Sequence, residues 1–161
     1  MKLLVRDNGS ELCQPIRRFL EQQGDEFCSD AKECEAVLWF CEGEKELLQT
    51  GEEILSQMNG ETSLLLVMPY LLWESDEAEE RSEAGAVLGA AGAWSRRYAP
   101  KGIRVNCLRY GVLAGEPVPE WVALERGAAP EEIARAVRFF LKEGTGFLTG
   151  QIIDVNGGRV Y

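Results

Sequence analysis

The side chains that most often carry out nucleophilic and acid-base chemistry are unevenly available in this sequence. Among its 161 residues there are five cysteines and no histidine. Without histidine, a Ser-His-Asp triad, a Cys-His pair and a histidine-ligated zinc ion are all excluded. No two cysteines have the C-x-x-C spacing of a redox or zinc motif. Any chemistry must therefore rely on other groups.

The cysteines themselves favour a structural interpretation. Four lie in the first quarter of the chain and the fifth stands alone (Cys13, Cys28, Cys34, Cys41 and Cys107). An odd number without a recognisable signal peptide predicts reduced, buried thiols and a cytoplasmic location. No apolar run approaches the length of a membrane span. We expect neither a bound metal ion nor a membrane.

The charge is distributed asymmetrically. The chain has 17 basic and 27 acidic residues, a net charge of -10. Residues 1–85 hold 20 acidic and 7 basic residues, whereas residues 86–161 hold 7 acidic and 10 basic ones. The acidic first half would repel a phosphate backbone, so we expect no nucleic-acid partner.

Hydrophobic patterning predicts alternating strands and helices. Strands are expected at 2–5, 26–28, 35–41, 63–68, 103–108 and 151–155, and helices at 12–23, 44–58, 84–98 and 130–141. The acidic stretch 74–83 is expected to be a loop leading into the third helix. The strands are apolar enough to be covered on both faces, which is typical of a parallel sheet. This order predicts one α/β domain over residues 1–161, a three-layer, doubly wound, Rossmann-like sheet.

Three segments in the second half carry a family resemblance. They are 99–106 (APKGIRVN), 130–134 (PEEIA) and 148–158 (LTGQIIDVNGG), with Gly111 at the end of the strand between the first two. In this order and spacing they resemble the short-chain dehydrogenase/reductase family over residues 84–161. Tyr110 replaces the proline of the family's Pro-Gly pair.

The resemblance implies an active site that this sequence does not reproduce. The family uses a Tyr-x-x-x-Lys pair, whose spacing places the tyrosine at Glu80 and the lysine at Ala84. The serine position falls on Met68 or Pro69, and no asparagine lies where the family holds a proton-relay water. There is no lysine between Lys45 and Lys101. The resemblance therefore predicts no catalytic residue in this chain.

The nucleotide-binding features are also missing. The family's glycine-rich turn brings backbone N–H groups against a pyrophosphate. Here the segment 7–12 (DNGSEL) has one glycine and two carboxylates, so we interpret it as a turn that caps a helix. The family's NNAG segment is not found after the strand 35–41, and the threonine that contacts the cofactor falls near Gly115. The first half is also short, which predicts the loss of a strand and helices from the adenosine-binding half. We therefore expect no NAD or NADP.

The parts by which such enzymes associate are retained. The family's two helices beside its fifth strand form a four-helix bundle, and its last helix and strand form a second interface. Small residues suit close contact between helix backbones, although packing on the chain's own sheet is the alternative. The predicted interface residues are Ala86, Gly89, Ala90, Ala93, Gly150 and Val155.

Three functions remain open from the sequence. The leading hypothesis is a non-catalytic relative of the dehydrogenases, either a homo-oligomeric scaffold or the partner subunit of a full-length family member. A second is an NAD(P)-dependent oxidoreductase with a rebuilt site in which Tyr70 donates the proton. A third is a protein that binds a small molecule or acyl group without turnover, at the carboxyl ends of the strands.

Overall fold

A computed structural model describes residues 1–7, 9–41, 47–70, 76–142 and 145–158. The strands are β1 Lys2–Arg6, β2 Glu26–Phe27, β3 Ala36–Phe40, β4 Ser63–Pro69, β5 Arg104–Tyr110 and β6 Ile152–Val155. The α-helices are α1 Cys13–Gln22, α2 Leu47–Gln57, α3 Ala78–Tyr98 and α4 Pro130–Leu141. Two 3-10 turns, Ala31–Glu33 and Ala99–Lys101, precede β3 and β5.

All six strands form one parallel sheet in the order β2-β1-β3-β4-β5-β6. The central strands β3 and β4 consist almost wholly of buried apolar residues, because helices cover both of their faces. The chain turns from β1 outward to β2 and then returns past β1 to β3. This reversal confirms the doubly wound, Rossmann-like fold predicted from the sequence.

Two hydrophobic cores lie on opposite faces of the sheet. Helices α1 and α4 cover one face with the core that includes Ile16, Phe40 and Ile133. Helices α2 and α3 cover the other with the core that includes Leu55 and Trp94. This arrangement gives the three layers expected. None of the described helices is both long enough and apolar enough to cross a lipid bilayer.

Helices α2 and α3 are held together by two aromatic side chains of α3 and one carboxylate of α2. The indole of Trp94 packs so closely on Gly51 that a Cβ there would lie 2.9 Å from its Cζ3 atom. Glu52 accepts hydrogen bonds from Trp94 Nε1 at 2.9 Å and from the Tyr98 hydroxyl at 2.6 Å. Arg97 forms an ion pair with the same carboxylate at 3.0 Å. The C-terminal half of α3 is therefore fixed on α2.

The sheet is shortened at the edge next to β1, as the sequence predicted. A doubly wound dinucleotide-binding sheet usually has the strand order 3-2-1-4-5-6. Here β2 has two residues, and the connection from β2 to β3 contains one 3-10 turn in place of a crossover helix. This connection, residues 28–35, is described in full. The strand and helix that would extend the sheet beyond β2 are thus missing from it.

Two predictions about local structure were wrong. Helix α3 begins at Ala78 rather than at residue 84, because Glu79 and Glu80 in its first turn complement the helix dipole and glutamate is a good helix former. Cys28 and Cys34 are not reduced thiols but form a disulfide with their Cα atoms 6.4 Å apart. The spacing of five intervening residues gave no signal for this bond. The thiol argument for a cytoplasmic location therefore loses its support.

Candidate functional site

A crevice lies where β1 and β3 diverge at their carboxyl ends. Ligands of open α/β sheets bind at such a point, because neighbouring chain connections leave on opposite faces. The turn after β1 and the segment after β3 border this crevice. Of these, the structure describes Asp7, residues 9–12 and Cys41, whereas residues 42–46 lie outside the described part.

The turn after β1 is closed by a carboxylate of the chain itself. Asp7 Oδ1 accepts hydrogen bonds from the backbone N–H groups of Gly9 and Ser10, both at 2.9 Å. Gly9 has φ +106°, which turns the backbone so that both N–H groups reach the same oxygen. Ser10 Oγ accepts from the N–H of Leu12 at 3.4 Å, ahead of α1. The expected side-chain cap on α1 is not formed, because the N-cap residue is Leu12, while Asp7 binds the turn before it.

Two thiols near the carboxyl half of the sheet are unsuited to nucleophilic chemistry. Burial, and after it the hydrogen bond with Asp7, raise the pKa of Cys13 to about 12. Burial likewise raises the pKa of Cys107 to about 12. A thiolate is the reactive form of cysteine, so both groups stay protonated and inert at neutral pH. They fill the core, as the sequence predicted for buried thiols.

An aromatic and charged cluster lies at the carboxyl ends of β4, β5 and β6. Arg109 binds Asp154 through two hydrogen bonds of 2.6 and 2.8 Å, which link β5 to β6. The Arg109 guanidinium also lies 4.8 Å from the ring centroid of Tyr70, a cation–π contact. The Trp121 ring also packs against the Tyr70 ring, with the two ring centroids 6.2 Å apart and the ring planes tilted by 47°. Tyr70 is 4% exposed and is therefore part of the packing at this edge.

The segment between β5 and α4 packs over this edge of the sheet. Ala123 and Leu124 donate their N–H groups to the carbonyls of Gly158 and Gly157 at 2.8 and 3.0 Å. Val122, in the same segment between β5 and α4, is buried. A Cβ added at Gly157 would lie 2.8 Å from the Val122 Cγ1 atom. Gly157 and Gly158, which follow β6, are thus held against residues 122–124.

Of the residues at the family's catalytic positions, Met68 and Ala84 belong to the same buried core, whereas Glu80 lies on the surface. Glu80 is exposed in the first turn of α3, whereas Ala84, one turn further, is buried under the same helix. Met68 is fully buried in β4, and Pro69 ends that strand. Tyr98 packs at the end of α3, and the ammonium group of Lys101 lies 5.1 Å from its ring centroid.

The predicted interface residues divide into two groups. Ala86, Gly89 and Ala93 lie on the exposed face of α3, and a Cβ built on Gly89 meets no atom within 4 Å. Ala90 does not share that face but is 4% exposed in the core against the chain's own sheet. Of the four predicted interface residues on α3, Ala90 therefore follows the alternative of packing on the chain's own sheet.

The two other interface candidates lie near β6. Gly150 is exposed with φ +70° and lies beside α3, since a Cβ there would be 2.9 Å from the Ser95 Oγ. Val155 is half-buried and packs on the core beneath α1 and α4. Two isoleucines of this edge strand, Ile152 and Ile153, are 43% and 38% exposed. Among the described residues, no three histidine, cysteine or acidic side chains group as a metal site would.

Sequence comparison finds relatives over part of the chain. No protein-family model matches the sequence. The 3-oxoacyl-[acyl-carrier-protein] reductase FabG of Chlamydia trachomatis is 35% identical over 83 residues, 45% of this chain and 34% of that protein. A 3-oxoacyl-[acyl-carrier-protein] reductase of Synechocystis is 25% identical over 116 residues, 66% of this chain and 47% of that protein. The chain thus spans about a third to a half of the length of these relatives.

The fold is matched over nearly its whole length. A short-chain dehydrogenase/reductase structure from Brucella melitensis superposes with a TM-score of 0.78 at 16% identity, over 99% of this chain and 96% of that one. Both comparisons point to the short-chain dehydrogenase/reductase family. The motif resemblance in the second half is confirmed at this level. The relatives found in these comparisons are oxidoreductases.

Proposed function

We propose that this chain is a non-catalytic short-chain dehydrogenase/reductase that acts as a subunit of an assembly, either with copies of itself or with a full-length dehydrogenase. The observation that carries the proposal is the turn after β1. In a dinucleotide site, the N–H groups of this turn bind the pyrophosphate. Here Asp7 already accepts from both Gly9 and Ser10, and its charge opposes that of a phosphate. The residues present therefore do not fit a dinucleotide.

The arrangement at the carboxyl ends of β4 to β6 supports the same proposal. A catalytic tyrosine needs an exposed hydroxyl beside the substrate and a cation near its oxygen. Tyr70 is buried, and Arg109 stacks on the ring face while its charge pairs with Asp154. This geometry stabilises the edge of the sheet and does not resemble a proton donor with an activating lysine.

The exposed face of α3 supports assembly. Ala86, Gly89 and Ala93 recur at helical spacing, with Gly85 and Gly92 at its margins, and all lack long side chains. A glycine inside a helix costs about 1 kcal/mol relative to alanine, which an isolated solvent-exposed helix has no reason to accept. Close contact with another helix is a physical reason for small residues at these positions. We therefore place the contact with the partner subunit on this face.

Nucleotide binding is tested with a matched pair of variants. The unmodified chain is expected to show no saturable binding of NADH, NADPH or inorganic pyrophosphate by calorimetry. Asp7→Gly frees the two N–H groups and removes the charge, so it should gain weak pyrophosphate binding. Glu11→Gly removes a neighbouring carboxylate that makes no described hydrogen bond, and it should gain none. Equal behaviour of the two variants would contradict the role given to Asp7.

Assembly is tested separately by native mass spectrometry. The chain alone, and the chain co-expressed with a full-length relative, should give a homo-oligomer or a mixed oligomer respectively. A strictly monomeric chain in both preparations would refute the subunit role, whatever the result with nucleotides.

A second candidate is an active reductase with a rebuilt site. It is favoured by the names of the relatives and by the position of Tyr70 at the carboxyl edge of the sheet. Its test is oxidation of NADPH with a panel of carbonyl compounds, which Tyr70→Phe must abolish while leaving the fold intact. Turnover that survives Tyr70→Phe would exclude this tyrosine as the proton donor.

A further inference from the structure

The edge of the sheet at β2 is held by few interactions. The N–H groups of Glu26 and Cys28 donate to the carbonyls of Met1 and Leu3, both at 2.9 Å. In the order of the described strands, β2 is the last on this side of the sheet. Strands of globular proteins usually have about 3 to 10 residues, so the short strand β2 gives this edge little stability of its own. The segment that follows must therefore contribute to its order.

The connection from β2 to β3 adds little packing to this edge. Of the described residues between Cys28 and Cys34, Ala31 alone is buried, and it lies in the core that α2 covers. The Lys32 carbonyl accepts a hydrogen bond from Asn59 Nδ2 at 3.0 Å, which ties the connection to the segment after α2. The conformational entropy of ordering an exposed loop opposes these contacts. The connection thus needs a further constraint.

The disulfide supplies that constraint. Cys28 and Cys34 are six positions apart, and their Cα atoms are separated by 6.4 Å. The bond joins the residue after β2 to the second residue before β3, so it closes the connection on itself. In the chain-entropy model, a cross-link across such a loop favours the ordered form by about 50-fold. The order of the connection therefore depends on the oxidation state of these two cysteines.

The bond is open to attack from solvent on one side. Cys28 is half-buried, and Ser29 and Asp30 after it are exposed, whereas Cys34 is 5% exposed. Thiol–disulfide exchange proceeds by attack of a thiolate on one of the two sulfurs. A reductant in solution reaches the Cys28 sulfur first, which makes Cys34 the leaving group. This exchange does not require the two cores to unfold.

The other three cysteines are unsuited to exchange with this bond. Cys13, Cys41 and Cys107 are all buried. Burial is the main cause that raises the pKa of Cys13 and of Cys107 to about 12. Only a thiolate attacks a disulfide, so these two thiols stay unreactive at neutral pH. Exchange in the folded chain is therefore restricted to Cys28 and Cys34.

We propose that the Cys28–Cys34 bond is a reversible redox clasp, which holds β2 and the connection on the sheet when oxidised and releases them when reduced by a dithiol. A thiolate of the dithiol attacks Cys28 Sγ, the S–S bond breaks, and Cys34 leaves as a thiolate that takes up a proton. The second thiol of the reductant then displaces Cys28, which is also protonated. The cysteine pair gains two electrons and two protons, and the dithiol becomes a cyclic disulfide.

Release changes one edge of the molecule and leaves the rest in place. The core between α2, α3 and the sheet receives only Ala31 from the connection, and the contacts of Glu52 with Trp94 and Tyr98 do not involve it. When β2 leaves, the carbonyls of Met1 and Leu3 lose their hydrogen-bond donors. The edge of β1 then presents open backbone groups to which another strand can pair.

The first experiment measures hydrogen exchange by mass spectrometry in the oxidised and the reduced chain. Dithiothreitol at millimolar concentration is the reductant, without denaturant. Peptides that cover residues 26–35 should exchange about ten- to 50-fold faster after reduction, whereas peptides of β4 should exchange at an unchanged rate. The double variant Cys28→Ser/Cys34→Ser is the matched control, and its residues 26–35 should exchange fast with and without dithiothreitol. Equal exchange of residues 26–35 in the oxidised and reduced chain would overturn the proposal.

The second experiment separates a reversible clasp from a permanent structural bond. Iodoacetamide should label none of the five cysteines of the oxidised native chain, and only Cys28 and Cys34 after reduction. Removal of dithiothreitol in air should restore the protected pair. Labelling of Cys28 and Cys34 before reduction would show that no bond forms, and reduction that requires urea would show a permanent bond. Either result would refute the clasp, as would equal labelling of Cys13, Cys41 and Cys107, which would show global unfolding. Nucleotides and the exposed face of α3 take no part in these measurements, so the outcome is independent of the proposed function.

Discussion

The exposed face of α3 yields a prediction whose sign depends on whether a partner covers it. Gly89 lies in the middle of this helix, and a Cβ added there meets nothing within 4 Å in the isolated chain. In solvent, Gly89→Ala should therefore raise the free energy of unfolding by about 1 kcal/mol through helix propensity alone. For a domain of this size, that gain corresponds to about 2 to 4 °C in Tm.

In an assembly, the longer variant Gly89→Gln should behave in the opposite way. It also favours the helix, but its side chain enters a contact between backbones, where overpacking costs about 1 to 3 kcal/mol. Because about 1.4 kcal/mol is a factor of ten, the dissociation constant of the oligomer should rise by about 5- to 150-fold. Sedimentation equilibrium measures that constant, and melting at high dilution measures the isolated chain. A Gly89→Gln chain that melts higher and associates unchanged would refute the placement of the interface on α3.

Three further predictions concern the fold and its titrating groups. Gly51→Ala should destabilise the chain by about 1 to 3 kcal/mol, measured by urea denaturation, because the new Cβ overlaps the Trp94 indole; an unaltered midpoint would mean that the indole moves away freely. Hydrogen bonds from the Arg126 guanidinium and then from the Ala129 N–H lower the pKa of Glu132 to about 2. Its contribution to stability is therefore present above pH 4.5 and disappears as the pH falls from 4.5 towards 2. The Tm of the unmodified chain should fall more steeply over that window than that of Glu132→Gln, and parallel curves would contradict this. Burial and then the hydrogen bond to Glu52 raise the pKa of Tyr98. Ultraviolet difference titration should therefore show one tyrosine ionising at lower pH in Glu52→Gln than in the unmodified chain. Superimposable titration curves would contradict the contact.

The sheet and most of its helices could be predicted because their signals are local. The apolar runs that became β3 and β4 read as buried strands, and Pro130 with two following acids marks the start of α4. The start of α3 was misjudged because an acidic stretch was equated with a loop, although acids in a first helical turn are favourable. The predicted start of α3 was therefore wrong because the charge of the acidic residues was considered without their position in the helix.

Features that depend on the tertiary fold were out of reach. Whether Ala90 faced solvent or the sheet depended on the rotation of α3, which a helix of mostly small residues does not encode by periodicity. The Cys28–Cys34 bond depends on how β2 returns to β3. A cavity of about 780 Å³ at the amino ends of the strands joins residues from Met1 to Gly146, and no motif connects them. At the turn after β1, the sequence indicated repulsion of a phosphate but not the hydrogen bonds by which Asp7 closes the turn.

The central claim is that the turn after β1 has lost its place for a nucleotide, and titration with NADPH tests it most directly. Calorimetry, together with quenching of the tryptophan fluorescence, should be followed on the full chain up to about 1 mM cofactor. The account predicts no saturable signal, because the Asp7 carboxylate holds the N–H groups that a pyrophosphate requires. Saturable binding with a micromolar dissociation constant would contradict it.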